Sequence, residues 1–381
     1  MKLALRILAF AFALSCAGSS AYEPTSPSAS SSELRTPAVQ AWPEANARFR
    51  DGQSSWLGAD SAYSVSLGDD RVLWLFGDTF IDPARDGSRA NGPNVFLRNT
   101  AAVQHELDLS RATIEFFTGP DHDGTPTSFF SETPEGDWFW PLHGTLLSDG
   151  KLLLFRIRVA KVDTGFGFKV RGWDAIAIDA PNTPPSRWTP RVIARALDAQ
   201  YLLGGSVFVR DDYLYAYAAK NDDADHTIFL ARFPLTSLRG LADGALADPE
   251  WYTASGYQRQ SAGATPSPIL PEGQIEFSVH YEAKLERFMQ IQTRALFASD
   301  PKTAVVYRTA PSPEGPWSEM IELYKPPPPA GADLTKIITY AAKAHPELRG
   351  GDLVLTYVQN DVAHLPPIDA VYYPEVVRLT F

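Results

Sequence analysis

The sequence predicts an all-β chain folded as a five-bladed β-propeller of mostly antiparallel, four-stranded blades. A β-rich run, a polar or glycine turn and a second run dense in Leu, Phe, Tyr or Val recur five times. The turns fall at 68–71, 148–151, 210–212, 282–284 and 349–352. A spacing of roughly 60 to 80 residues marks a repeat architecture in which each unit is one blade. Further β-rich runs between the hairpins supply outer strands, and 31 prolines with 26 glycines suit a loop-rich β protein.

In the first unit, Ser61–Leu67 and Val72–Phe76 flank a Gly-Asp-Asp turn signal and read as a hairpin. The second runs of the five units are Val72–Phe76, Leu152–Phe155, Tyr213–Tyr217, Arg287–Ile291 and Leu353–Tyr357, each suited to a buried strand. Outer-strand candidates are Thr113–Phe117, Asp174–Ile178, Thr227–Arg232 and Ala304–Arg308. Trp188, Trp251 and Trp317 each follow a proline-rich turn and read as blade-packing aromatics. Only Ser237–Ala247 and Leu334–Ala344 are candidate helices, and the second also reads as a strand.

With 381 residues, 44% hydrophobic and 12% aromatic, the chain can bury one large β domain. A net charge of -11, with no basic run to offset it, argues against nucleic acid and anionic membranes and suits neutral ligands such as sugars. Residues 1–21 have the basic start and short apolar run of a secretory leader, so the protein is expected to be exported, to the periplasm, the outer membrane or the medium. Cys16, the only cysteine, ends that run in an imperfect lipoprotein box. Lipidation there, which is the one membrane attachment expected, and ordinary cleavage after Ala21 both remain open. Residues 22–45 read as a Ser/Pro-rich tether and 46–381 as the propeller. With one thiol there is no intrachain disulfide, and a monomer is expected.

The first hairpin also carries the best chemical signal. A turn centred on Asp69 and Asp70 pairs positions whose numbers sum to about 138 or 139, which sets Asp60 opposite Asp78 or one step away. Their Cα atoms would then lie on the order of 5 to 7 Å apart. Two acids held that close disfavour each other's ionisation, one route to a proton donor near neutral pH. Solvent-facing turn aspartates are the alternative reading.

The segments Gly58–Tyr63, Trp74–Thr79, Arg98–Thr100, Glu276–Val279, Ala344–Glu347 and Tyr373-Pro374 resemble those of the bacterial DUF4185-type family. The resemblance runs from about Trp56 to Phe381 and is most distinctive in the Gly-Asp-Thr hairpin. It implies a five-bladed, glycoside-hydrolase-like propeller, in a family that includes endo-D-arabinanases, with catalytic candidates falling on Asp60 and Asp78. Substrate transfers poorly by such analogy.

Innermost strands of a propeller converge on a tunnel, so equivalent hairpin ends build one mouth. By register, His143 pairs with Arg156, and Leu203–Gly205 lies opposite Ala218–Lys220. Glu276 falls near Ile291 and Gln292, and Ala341–Lys343 near Val358–Asn360. Asp60, Asp78 and Glu276 are therefore the catalytic candidates; Asn99, His143, Arg156, Lys220, Gln292, His345 and Asn360 are the substrate-binding ones. His143 and His345 read equally as structural histidines, and one of Arg156 and Arg158 as a solvated face residue. Glu276, between Ile275 and Phe277, is a carboxylate in an apolar run. Trp138–Trp140 reads as blade packing or as a sugar platform. No metal ligand set, cofactor or nucleotide loop is expected: the clusters at 121–123 and 222–226 lack metal spacing, and Gly165–Gly167 lacks a strand–helix context.

The expected function is an exported glycoside hydrolase acting on an arabinan-type polysaccharide or oligosaccharide, with one carboxyl protonating the leaving oxygen and another acting as nucleophile or base. An Asp60–Asp78 pair would suit retention and an Asp60–Glu276 pair inversion, and the sequence leaves both open. The alternative is a non-catalytic glycan-binding propeller using the same tunnel.

Overall fold

The computed structural model describes residues 37–50, 55–90, 94–164, 167–222, 224–364 and 366–381. The leader with Cys16, residues 22–36 of the tether and Gly165-Phe166 lie outside them. Among the described residues no helix is long and apolar enough to cross a membrane.

Five antiparallel sheets follow one another along the chain, and each is a blade. Blade one holds Tyr63–Gly68, Arg71–Phe76, Thr100–His105 and Thr113–Phe117. Blade two holds Trp138–Leu146, Leu152–Lys161, Phe168–Ile178 and Arg191–Leu197. In blade three, Tyr201–Arg210, Tyr213–Lys220, Ile228–Pro234 and Glu250–Thr253 gain a fifth strand, Gly256–Arg259. Blade four holds Ser278–Glu282, Arg287–Arg294, Ala304–Ala310 and Ile321–Tyr324. Blade five joins Ile337–Ala344, Leu353–Asp361 and Pro374–Thr380 to an outer strand from the other end of the chain, Ala38–Ala41.

That outer strand moves the domain boundary read from the sequence. Ala38 to Ala41 pair with Thr380 to Val377, and Trp42 is buried against Gly350, so the folded unit begins within the stretch read as tether. The ring is thus closed by backbone hydrogen bonds between segments far apart in sequence, with Ala38–Ala41 covering the edge of Pro374–Thr380. Leu334–Ala344 resolves as the strand Ile337–Ala344, as its β-branched start favours, and Ser237–Ala247 shrinks to a 3-10 turn, Leu235–Leu241. Trp251 is buried, and Trp188 and Trp317 pack half-buried against the main core, as blade-packing aromatics should.

Around the axis the innermost strands are joined by one polar link per neighbour, and the links close a circuit. His143 Nε2 lies 3.2 Å from Ser64 O, while Val207 N–H donates to His143 Nδ1 at 3.0 Å. Val279 N–H donates to Ser206 Oγ at 2.9 Å, and Ala344 N–H to Ser278 Oγ at 2.8 Å. His345 Nδ1 returns to Ser64 Oγ at 2.5 Å. Each link satisfies a polar group that the tunnel would otherwise bury unpaired. It also ties each blade to the next at the radius where the mouth is built.

Candidate active site

The first hairpin has the expected register: Tyr63 pairs with Leu75 and Ser64 with Trp74, numbers that sum to 138. Asp69 and Asp70 both have positive φ, 51° and 54°, the conformation a two-residue hairpin turn demands. Past Tyr63 the ladder breaks at Ser61 and Ala62, with φ of 64° and 54°, and resumes where Ala59 pairs with Thr79. Asp60 and Asp78 face each other across this break, with Gly77 N–H donating to Asp60 O at 3.1 Å. Gly77 is glycine for a steric reason, since a Cβ there would stand 2.3 Å from Asp60 Oδ1. Gly58 has φ of 111°, and its Cβ would meet Tyr372 O at 2.2 Å.

Asp60 Oδ2 accepts a hydrogen bond from Tyr340 OH at 3.0 Å. Tyr372 OH, with one proton to share, lies 3.3 Å from the same oxygen and 3.0 Å from Asp78 O. Tyr372 is held from behind by buried Arg89, whose guanidinium donates to Pro367 O at 3.1 Å, Ile368 O at 2.7 Å, Val371 O at 2.6 Å and Leu57 O. Asp78 is 8% exposed; its Oδ1 accepts from Trp140 Nε1 at 2.8 Å, and its Oδ2 lies 3.7 Å from Arg98 Nη1. Glu276 enters from the segment before blade four, and its Oε1 lies 3.0 Å from Lys343 Nζ. A cleft of about 390 Å³ opens beside Glu276 and Tyr340, lined also by Gln274, Gln292, Thr293 and His226.

These surroundings suppress ionisation of the aspartate pair. Burial, then the charges of Asp78 and Glu276, hold the Asp60 carboxyl well above its ordinary range, against the pull of both tyrosine hydroxyls. Burial raises Asp78 from 3.8 to about 6, with Arg98 and Trp140 pulling the other way. Burial lowers the Lys343 ammonium, while Glu276 and Asp60 raise it. The native chain therefore keeps a proton on Asp78 that the unfolded chain releases between about pH 4 and 6. The stability this proton contributes is full below the unfolded value and is lost as pH rises through the folded one. Asp78→Asn, which keeps an acceptor for Trp140, is expected to stabilise the chain by about 1–3 kcal/mol at pH 7 and by little at pH 4. Urea denaturation at the two pH values measures this, and an equal change at both would contradict it.

The three carboxylates predicted from the sequence are thus brought together, and most of the predicted substrate contacts are not. Asn99 is fully buried, bonding Phe130 and Phe139 backbone groups. His143 does not pair with Arg156, because Pro141 does; an extra residue between Pro141 and Gly144 shifts the ladder. Its two nitrogens serve the axial circuit, and burial lowers it to about 4, so it is neutral there. His345 bonds Ser64 and Thr356 and is held far below its ordinary range by burial. Arg156 stacks 3.5 Å from the Phe139 ring centroid and pairs with fully buried Asp174, while Arg158 pairs with Asp137 at 2.6 Å, so neither is a solvated face residue.

The remaining candidates sit away from the carboxylates or are already engaged. Lys220 is held on the surface by Asp222 and Asp225. Gln292 borders the cleft but is 1% exposed, with its amide bonded to Glu272 O and Gln290. Glu276 lies beyond the ladder, since Ile291 pairs with Ser278. Asn360 is buried opposite Ile338, three residues short of Ala341, the expected neighbour. Tyr340, Lys343, Tyr372 and Arg98 were not among the site candidates, and Trp140 was one only as part of a possible sugar platform, although all five adjoin or lie in segments already singled out. Lys343 and Tyr340 flank the bulge at Ala341, whose φ of 59° on a non-glycine residue leaves no mark in the sequence.

No curated protein matches the chain. Among solved structures it is similar to a protein from Bacteroides ovatus ATCC 8483, provisionally described as a hydrolase, at 18% identity over 92% of this chain and 93% of that one, with a TM-score of 0.69. More distant similarities include the catalytic domain of Coprinopsis cinerea GH62 α-L-arabinofuranosidase, at 11% identity, 85% and 91% coverage and a TM-score of 0.46. An endo-arabinase from Bacteroides thetaiotaomicron shows 14% identity, 85% and 94% coverage and a TM-score of 0.41. A family profile described as "Domain of unknown function (DUF5005)" matches residues 46–372, so the chain belongs to that family and not to the DUF4185-type family its motifs resemble.

Proposed function

We propose that the chain is a glycoside hydrolase acting on arabinan-type polymers, with Asp60, Asp78 and Glu276 as its catalytic carboxyl groups. One observation carries this reading. Two aspartates, Asp78 buried and Asp60 half-buried, face each other at the tunnel mouth with their ionisation suppressed, and a third carboxylate reaches the same place from another blade, ion-paired to a lysine. Glycosidic cleavage asks for that division: a carboxyl that still holds a proton for the leaving oxygen, and a second carboxylate that attacks carbon or activates water. In this reading the Asp60–Asp78 pair supplies the proton and Glu276 is the second group. The B. ovatus protein supports the fold, and arabinan is named among substrates only because the first-hairpin motifs resemble those of a family that includes endo-D-arabinanases.

The test is incubation of the purified chain with arabinans, galactans, fructans and xylans, followed by assay for new reducing ends. Release from arabinan is expected. Measurable binding without cleavage across the whole panel would overturn the reading in favour of a glycan-binding propeller.

A further inference from the structure

Lys343 is a side chain the hydrolase reading leaves without a task, although its surroundings are closely specified. Its side chain is 1% exposed, and its ammonium makes three contacts, one for each proton. They go to Ser61 O at 2.5 Å, Ala341 O at 3.0 Å and Glu276 Oε1 at 3.0 Å. The Tyr63 ring lies beneath it, 4.4 Å from Nζ. Both carbonyls belong to residues with left-handed backbone, Ser61 at 64° and Ala341 at 59°. Ser61 follows Asp60 directly, and Ala341 follows Tyr340, whose hydroxyl bonds Asp60. The acceptors therefore lie beside Asp60 on blade one, beside its hydrogen-bond donor on blade five, and on Glu276 from blade four.

Resting on the hydrolase reading, we propose that Lys343 is the positioning residue of the site: its three-point ammonium contact fixes Glu276 relative to Asp60 and supplies the positive charge between them. The charged and titratable groups facing this centre are Asp60 and Tyr63 from blade one, His143 from blade two, Glu276 from blade four, and Tyr340 and His345 from blade five. Removing the cation leaves the Glu276 carboxylate without its counter-ion beside Asp60. A guanidinium would keep the charge, yet its planar fork cannot copy the three-point pose of an ammonium.

The test combines crystal structures of the wild type, Lys343→Met and Lys343→Arg with kcat and KM profiles on debranched arabinan from about pH 4 to 9. Lys343→Met is expected to move the Glu276 carboxylate by about 1 Å and to lower kcat about 100-fold, with KM within about threefold. Its acid limb should move up by about one pH unit or more. Lys343→Arg should lower kcat while leaving that limb near its wild-type place, and it decides the question alone if Lys343→Met does not fold. Unmoved Glu276, or a wild-type kcat and pH profile in either variant, overturns the proposal. If the wild type cleaves no arabinan, the crystal structures still decide it: displaced Glu276 supports the positioning role while the hydrolase reading fails on its own assay.

Discussion

Asp60→Asn is expected to lower turnover of a cleavable arabinan by about 10²–10⁴-fold, the usual worth of a positioned acid or base. The amide is nearly isosteric and still accepts from Tyr340, so the mouth keeps its shape. What disappears is the carboxyl proton. Asp60 is the more strongly shifted of the pair because it feels burial and two neighbouring carboxylates, whereas Arg98 and Trp140 restrain Asp78. Affinity for an arabino-oligosaccharide should stay within a few-fold of wild type, as expected for a group whose contribution arises in the transition state. Reducing-end release measures the first effect and calorimetric titration the second.

Gly77→Ala is the second large effect, and it acts by geometry alone. The backbone at Gly77 does not have positive φ, so alanine can adopt it without torsional strain. Its methyl group would nevertheless fall 2.3 Å from Asp60 Oδ1 and 3.1 Å from Ser61 Oγ. The Asp60 carboxylate must therefore swing away from Tyr340. A displacement of about 1 Å at a reacting group costs on the order of 100-fold in rate. A thermal midpoint near wild type beside that loss is the expected pattern. Undiminished turnover would mean that the oxygen over Gly77 is not the one that matters.

Much of the architecture was legible because hairpins are local. Asp69-Asp70 announces a tight turn, and the turn fixes the register that sets Asp60 against Asp78. The closing strand Ala38–Ala41 was not legible, since four residues after a Ser/Pro-rich stretch become a strand only when the opposite chain end offers them an edge. The nearness of Asp60 to Asp78 was legible because the turn sets their register, and Glu276 stood out as a carboxylate within an apolar run. The polar neighbours were misread because a histidine on an innermost strand looks the same whether it faces a ligand or the next blade. His143 and His345 face the next blade, and a bulge at 141–144 moved the partner of His143 by a residue that periodicity cannot see. Tyr372 was missed by one position beside Tyr373-Pro374, as its place depends on Arg89 gripping the loop from below.

The central claim is that glycosidic bonds are cleaved at the tunnel mouth between the first hairpin and Glu276. A crystal of Asp60→Asn soaked with an intact arabino-oligosaccharide tests it most directly. The account predicts an uncleaved chain across the mouth, with a glycosidic oxygen within about 3.2 Å of the side chain at position 60 or 78 and Glu276 facing the adjoining sugar. An oligosaccharide bound elsewhere on the propeller, or cleaved in the crystal despite the substitution, would contradict it.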